Sequence, residues 1–438
     1  MNAVVIAVLV MLVLSLARVN VVLALLLGAL AGGLTSELGL AGSVTAFSAG
    51  IGNGASIGLS YAMLGAFAMG IAKSGIPEFL AQKIITMVQK SHHNRNLAKA
   101  SILIAVLLMA VASQNLIPVH IAFIPILIPP LLGLFNSLQL DRRLIACFLT
   151  FGLTATYMLL PVGFGNIFLT EILARNLNDN SLEISSSLMP QAMIIPVAGM
   201  FLGLLVAVFW TYRKPCGYAD SSIQSSRKEP LEISGKTLFG TLLAVVLTLA
   251  AQLYSGSMII GALSGCATLM FTGVLKWKES NDTFVQGMKM MAYAGFIMIA
   301  AAGFAEVMRQ TNAIPDLVQS ASSLFGDSKA MAVFLMLITG LLITLGIGSS
   351  FSTVPVIATL FVPLGMEFGL SALAIATLVG TAGALGDAGS PASDSTIGPT
   401  AGLNADGQHD HIRGSVLPTF LHFNIPLIIF GWGAVMIL

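Results

Sequence analysis

Between Ala100 and Leu140 the chain runs for 41 residues without an Asp, Glu, Lys or Arg. Thr237 to Leu275 supplies 39 more such residues, Ala330 to Met366 supplies 37, and Leu38 to Ala72 supplies 35. A helix needs roughly 20 apolar residues to cross the hydrocarbon core of a bilayer, so each window exceeds one crossing. None shows the ~10-residue polar-in, apolar-out alternation of an outer-membrane barrel. Composition points the same way, with 56% apolar and 9% charged residues and a mean hydropathy of +0.92. A soluble domain carries about 25% charged residues, and disorder needs low hydrophobicity with high net charge. The expected fold class is all-α, a polytopic membrane helical bundle with roughly 10 to 14 embedded segments by the length rule.

The net charge of +1 gives no basic surplus for nucleic acid. Cys147, Cys216 and Cys266 are scattered, lack metal-ligand spacing and leave one over from any pairing. The apolar stretch Ala3 to Ala17 has no basic residue before it, so it reads as a short first helix turning at Arg18 rather than a secretory signal.

A polar connector, Arg213 to Lys236, falls at mid-chain and prompts a search for a repeat. Gly28-Ala29-Leu30-Ala31-Gly32 returns as Gly261-Ala262-Leu263-Ser264-Gly265. Phe47 and Gly50 return 237 residues later as Phe284 and Gly287. Ile76-Pro77-Glu78 returns as Ile314-Pro315-Asp316, and Ser113 with Pro118 returns as Ser350 with Pro355. Four anchors in one order, at nearly one offset, indicate duplication. The domains expected are a first repeat over 1–212, a connector over 213–236 and a second repeat over 237–438.

Lys and Arg mark cytoplasmic loops. The segment Ala41 to Ser56 has none, whereas its counterpart carries Lys276, Lys278 and Lys289. Lys83, Lys90, Arg95 and Lys99 follow Pro77, but only Lys329 follows Pro315 at the matching distance. The bias reverses between the halves, so the repeats are expected to be inverted, with the connector cytoplasmic and both termini outside. Inverted halves that exchange conformations give alternating access, and their sites lie where helices break.

The breaks occur in corresponding places. The first half has Ser113-Gln114-Asn115 followed by Pro118, Pro125, Pro129 and Pro130, then Pro161-Val162-Gly163-Phe164-Gly165-Asn166. The second has Gly346 to Thr353 with Pro355 and Pro363, then Gly386-Asp387-Ala388-Gly389-Ser390-Pro391-Ala392-Ser393-Asp394-Ser395-Thr396. Freed carbonyls, hydroxyls and carboxylates are hard oxygen ligands for an alkali cation, and freed amides at half-helix N-termini suit a carboxylate. The glycines near Gly28 and Gly261 read as close-packing positions.

Charges within the membrane are costly and usually functional. Asp387 and Asp394 stand out because no Lys or Arg lies between Lys329 and Arg413. Asp394 is the first choice for the coupling carboxylate, with Na+ at Asp387, Ser393 and Asp394. Glu306 reads either as a partner of Arg309 on one helix face or as a coupling carboxylate. Lys73 reads as reaching for the interface. His120 is the sole ionisable group in the longest window, either packed and hydrogen-bonded or coupled to protons. His92 and His93 belong to a basic loop, His422 carries no signal, and His409-Asp410-His411 fits no zinc spacing.

The stretch from Ser393-Asp394-Ser395-Thr396 through Gly402-Leu403-Asn404-Ala405-Asp406-Gly407-Gln408-His409-Asp410-His411, with Leu417-Pro418-Thr419-Phe420 and Asn424-Ile425-Pro426, resembles the NhaC-like Na+/H+ antiporter family. It is especially similar to the branch whose members are described as candidate permeases for histidine or other amino acids. The resemblance covers nearly the whole chain, and its C-terminal motif is the specific part. It implies inverted repeats with re-entrant hairpins and broken helices, a homodimer in a bacterial inner membrane, and substrate and cation near the hairpin tips. On this chain those positions are Ser113, Gln114 and Asn115; Gly163, Gly165 and Asn166; Ser350, Ser352 and Thr353; and Asp387, Ser390, Ser393, Asp394 and Ser395. One departure is that the first half has no carboxylate at its second break, so two symmetric acidic sites are not expected.

The functional reading is a secondary active transporter in the lipid bilayer, not an enzyme and without a cofactor, coupled to Na+ or H+. Its cargo is either an ion, as in Na+/H+ antiport, or an amino acid such as histidine. A cation channel is the reading from another class. No G-x-x-x-x-G-K-[ST] is present, which argues against an ATP-driven pump.

Overall fold

The computed structural model describes residues 2–438 apart from 18, 78, 80–81, 84–85, 87–94, 116–123, 126, 220–232 and 326–327. Pro118, His92, His93, His120 and most of the 213–236 connector therefore lie outside the described residues. Among the described residues every regular element is helical. The first half contains α1 (Ala3–Leu16), α2 (Val21–Leu34), α3 (Gly39–Lys73), α4 (Arg95–Asn115), the short α5 (Leu132–Ser137), α6 (Arg142–Leu159), α7 (Phe164–Asp179) and α8 (Ser186–Thr211). After the connector come α9 (Gly235–Ser255), α10 (Met258–Phe271), α11 (Trp277–Gln310), α12 (Ile314–Phe325), α13 (Lys329–Ile347), α14 (Ser350–Glu367), α15 (Ala372–Ala384), α16 (Asp394–Leu403) and α17 (His411–Ile437).

The order of lengths recurs across the connector. A 14-residue α2 and a 35-residue α3 are answered by a 14-residue α10 and a 34-residue α11. The broken pair α6–α7, bent by 51°, is answered by the broken pair α15–α16. Eight described helices are long and apolar enough to cross a membrane, or nine with the bent pair counted as one span. The count falls below the expected 10 to 14 because some apolar stretches form short helices. At 1.5 Å per residue a 14-residue helix is about 21 Å long, short of a ~30 Å hydrocarbon core.

The helices α3 and α11 pack against each other along their length in an antiparallel crossing. A methyl group on Gly50 would stand 2.6 Å from the Ala302 carbonyl oxygen, and one on Gly65 would stand 2.3 Å from that of Gly287. Numbers rise along α3 as they fall along α11. Small residues let the two backbones touch where lipid supplies no hydrophobic drive to associate. Gly28 does the same, with a methyl 2.8 Å from the Ala7 carbonyl oxygen, whereas Gly265 makes room for side chains, with a methyl 2.5 Å from the Phe67 ring.

One end of the bundle is fastened by a buried ion pair. Asp141 caps α6 by accepting from the Arg143 amide at 2.9 Å. Arg142 is fully buried and forks onto both Asp406 oxygens at 2.5 Å, with the Tyr218 ring 4.3 Å from its guanidinium. This bond holds the Asp406 carboxyl below its ordinary pKa. Gln408 exchanges two hydrogen bonds with the Ala219 backbone, at 2.8 and 2.9 Å. The start of the connector is thereby strapped across the ends of α6 and α16.

Candidate functional site

The break after α15 follows from its residues. Gly386 has φ +86°, a region side chains rarely adopt, and Pro391 has no amide to donate. The helix restarts at Asp394, with Ser393 as its cap accepting from the Ser395 amide at 3.1 Å. Asp387 and Asp394 thus flank a break rather than share one helix face.

Asp387 is 6% exposed and ringed by hydroxyls. Its Oδ2 accepts from Tyr157 at 2.6 Å and from Ser350 at 3.0 Å. Its Oδ1 accepts from Ser395 at 3.2 Å and also from Ser393. Tyr157 comes from the end of α6, Ser350 opens α14, and the two serines open α16. Three helices are therefore brought together where each ends or begins. Carboxylates at mid-bilayer cost about 2.5–3.5 kcal/mol on insertion scales, and four hydroxyl donors offset that cost with no basic partner among the described residues.

Beside Asp387 lies a cavity of about 50 Å³. Its walls include Tyr61, Gln114, Phe164, Phe351 and Asp394. Gln114 is 3% exposed and its Oε1 has no hydrogen-bond partner. Asp394 sits at the exposed mouth, and neither its carboxylate nor the Tyr61 hydroxyl is bonded to a described residue. The Tyr61 and Phe164 rings are 5.4 Å apart, and Phe351 meets Phe164 edge-on at 5.9 Å.

The two first-half breaks meet each other. Asn115 ends α4, and its Oδ1 accepts from the Gly165 amide at 3.3 Å. Gly163 has φ +60°, and a methyl there would stand 2.0 Å from the Asn115 carbonyl oxygen. Only glycine fits.

Of the residues expected at the site, Gln114, Ser350, Asp387, Ser393, Asp394 and Ser395 converge on the cavity or the carboxylate. Asn115, Gly163 and Gly165 frame it, and Ser113 bonds the Ala110 carbonyl at 2.9 Å. Four others turn elsewhere. Asn166 accepts from Thr170 at 3.3 Å, Ser352 faces the Met298 sulfur at 3.8 Å, Thr353 bonds the Ser349 carbonyl at 3.0 Å and Ser390 that of Leu345 at 3.3 Å. Pro355 and Pro363 do not break α14, which runs through both; the break is at Gly348, with φ +78°. Glu306 is bonded to Arg309 at 2.6 Å and to Gln310 at 2.7 Å, both on its own helix. Lys73, exposed at the end of α3, bonds Thr283 on α11 at 3.0 Å. His120 lies outside the described residues.

Sequence reasoning missed Tyr157, Tyr61, Thr150 and Asn424. Thr150 donates to the Ser395 carbonyl at 2.8 Å, and Asn424 accepts from the Gly386 amide at 3.0 Å, so both fix the broken segment. Tyr157 had a signal, a phenol in a charge-free stretch just before Pro161. Tyr61 had none. His411 donates from Nε2 to the Pro391 carbonyl at 2.9 Å and pairs through Nδ1 with Thr400 at 2.8 Å. His409 pairs with Ser415 at 2.9 Å, and burial, then the Arg142 charge, push its pKa down to about 4.

Residues 148–432 match the Na+/H+ antiporter family, and residues 2–88 match a second Na+-H+ antiporter family. The chain is 57% identical to an uncharacterized membrane protein of Vibrio parahaemolyticus, with all of both chains covered. It is 50% identical, again over both whole chains, to YuiF of Bacillus subtilis, described as a candidate amino acid transporter. Two solved structures are similar. MtrF of Neisseria gonorrhoeae, from a class of antimetabolite efflux pumps, has a TM-score of 0.61 at 17% identity, covering 92% of this chain and 85% of its own. The YdaH transporter of Alcanivorax borkumensis has a TM-score of 0.61 at 15% identity, covering 92% and 89%. At such identities the likeness is one of fold.

Proposed function

Because the chain belongs to the Na+/H+ antiporter family, we propose that it is a secondary active transporter whose coupling cation, Na+ or H+, is handled at Asp387. Two inverted halves would expose this one site to each side in turn. The observation that carries the reading is the Asp387 carboxylate, buried among four hydroxyls where three helices end or begin. Such a group is stable with its hydroxyl donors and equally able to accept a proton or an alkali ion through hard oxygens. The antiparallel crossing of α3 and α11 supports inversion. A two-fold axis in the membrane plane turns each helix end for end, so equivalent helices in contact run in opposite directions.

The family description favours exchange of Na+ for H+. A second reading, ion-coupled movement of an amino acid, is favoured by the aromatic wall of the cavity and by the description of YuiF. Purified protein in liposomes, with Na+, pH and labelled amino acids varied separately, decides between them. Asp387→Asn should abolish ion-driven flux while expression and insertion persist. A wild-type rate with unchanged ion dependence would remove Asp387 from the mechanism, and downhill flux without counter-ion dependence would indicate a channel.

A further inference from the structure

Asp387 has its oxygens occupied by protein donors, but the other side of the cavity does not. Asp394, the Gln114 Oε1 atom and the Tyr61 hydroxyl all lack partners among the described residues, and Gln114 is buried. Among the described residues, no Lys, Arg or His lines the space. The unmet groups present acceptor oxygens, and the remaining wall is largely ring surface from Phe164 and Phe351.

We infer that this half of the cavity takes the ammonium group of a primary amine, with Asp394, Gln114 and Tyr61 accepting its N–H bonds. The inference rests on the transporter reading and names the cargo of the same site as an organic amine, such as a free amino acid. An ammonium has three N–H donors, matching three acceptors, and its charge and attached carbon gain from aromatic faces. An alkali ion would also gain from the oxygens and ring faces, but it has no N–H donors to direct and no attached carbon to bury against the rings. Size agrees. Roughly 10–15 Å³ of such space holds one water, so a cavity of about 50 Å³ has room for an ammonium and its first carbon. The rest of the molecule has its way out past Asp394, at the exposed mouth beside Pro391 and Ala392.

The test is binding of labelled methylammonium to the full-length protein in detergent, in potassium buffer, alongside uptake of alanine and of lactate into liposomes. Wild type should bind methylammonium and take up alanine but not lactate. Asp394→Asn should weaken methylammonium binding at least about tenfold, and Tyr61→Phe, which keeps the ring, by a smaller factor. Both variants should elute and melt as wild type does. Equal binding by wild type and Asp394→Asn, no methylammonium binding by wild type, or equal uptake of lactate would each overturn the inference. These outcomes are separable from the transporter reading, which stands or falls on ion-driven flux in Asp387→Asn.

Discussion

Gly58 and Gly295, 237 residues apart in sequence, face each other across the α3–α11 crossing. A methyl on either would stand 3.5 Å from the carbonyl oxygen of the other. The same offset carries Gly50 to Gly287 and Gly65 to Ala302, so the contact of Gly50 with Ala302 is the image of the contact between Gly287 and Gly65. Reciprocal contacts of this kind mark a two-fold relation. They support a pseudo-two-fold axis passing between Gly58 and Gly295.

If that axis lies in the membrane plane, single cysteines placed near Gly52 and near Lys278 will be labelled from opposite sides of the membrane. The structure sets the two on opposite sides of the Gly58–Gly295 contact, since Gly50 faces Ala302 while Lys73 faces Thr283. Labelling of both from one side by a membrane-impermeant maleimide would end the inverted-repeat reading.

Tyr157→Phe keeps the ring that lies 4.8 Å from Phe168 and removes one donor from Asp387. A hydrogen bond to a charged group contributes about 1.5–3 kcal/mol. Half-saturation of transport by the coupling cation should therefore shift by roughly tenfold or more. Unchanged cation dependence would show that the phenol only fills space.

Arg142→Met strips the charge partner from Asp406, whose side chain is fully buried. Breaking one partner of such a pair costs roughly 3–5 kcal/mol. Thermal unfolding in detergent should register a large loss of stability, and adding Asp406→Leu should restore much of it. A double variant as unstable as the single one would show that the ion pair itself is required.

His409 is 5% exposed, and its pKa stands at about 4 in the fold against roughly 6.5 in an unfolded chain. The fold favours the neutral ring. Its contribution is therefore full above about pH 6.5 and is lost as pH falls towards 4, at about 1.4 kcal/mol per pKa unit and roughly 3 kcal/mol in all. Thermal unfolding of His409→Gln across this range should give a flatter pH dependence than wild type. An identical curve would assign the acid sensitivity to another group.

Much of this was legible from residue order. The charge-free windows announce membrane helices because lipid admits only helices and closed barrels, and the windows lack a barrel's alternation. Glycine and proline at 163, 348, 386 and 391 mark the breaks because their backbone chemistry is local. The weighting of the two aspartates was not legible. Sequence favours Asp394, but the structure gives Asp387 four hydroxyl partners and leaves Asp394 at the mouth. Tyr157 reaches Asp387 across 230 residues, and nothing in the residues around either predicts that approach. Glu306 could be read both ways because its partner, three positions on, is local, whereas what the pair faces is not.

Tyr157, Ser350, Ser393 and Ser395 all meet Asp387 through hydroxyls, and each hydroxyl carries one proton and two lone pairs on a freely turning bond. A ring of amides or lysines would show the carboxylate one polarity permanently. This ring can reverse its polarity by rotation about four single bonds, with the backbone at rest. In the proposed mechanism, its answer to an arriving cation therefore belongs to picoseconds and nanoseconds, whereas reorientation of helices takes microseconds to milliseconds or longer. Recognition is left to rotors, and the slow step to the helices that carry them.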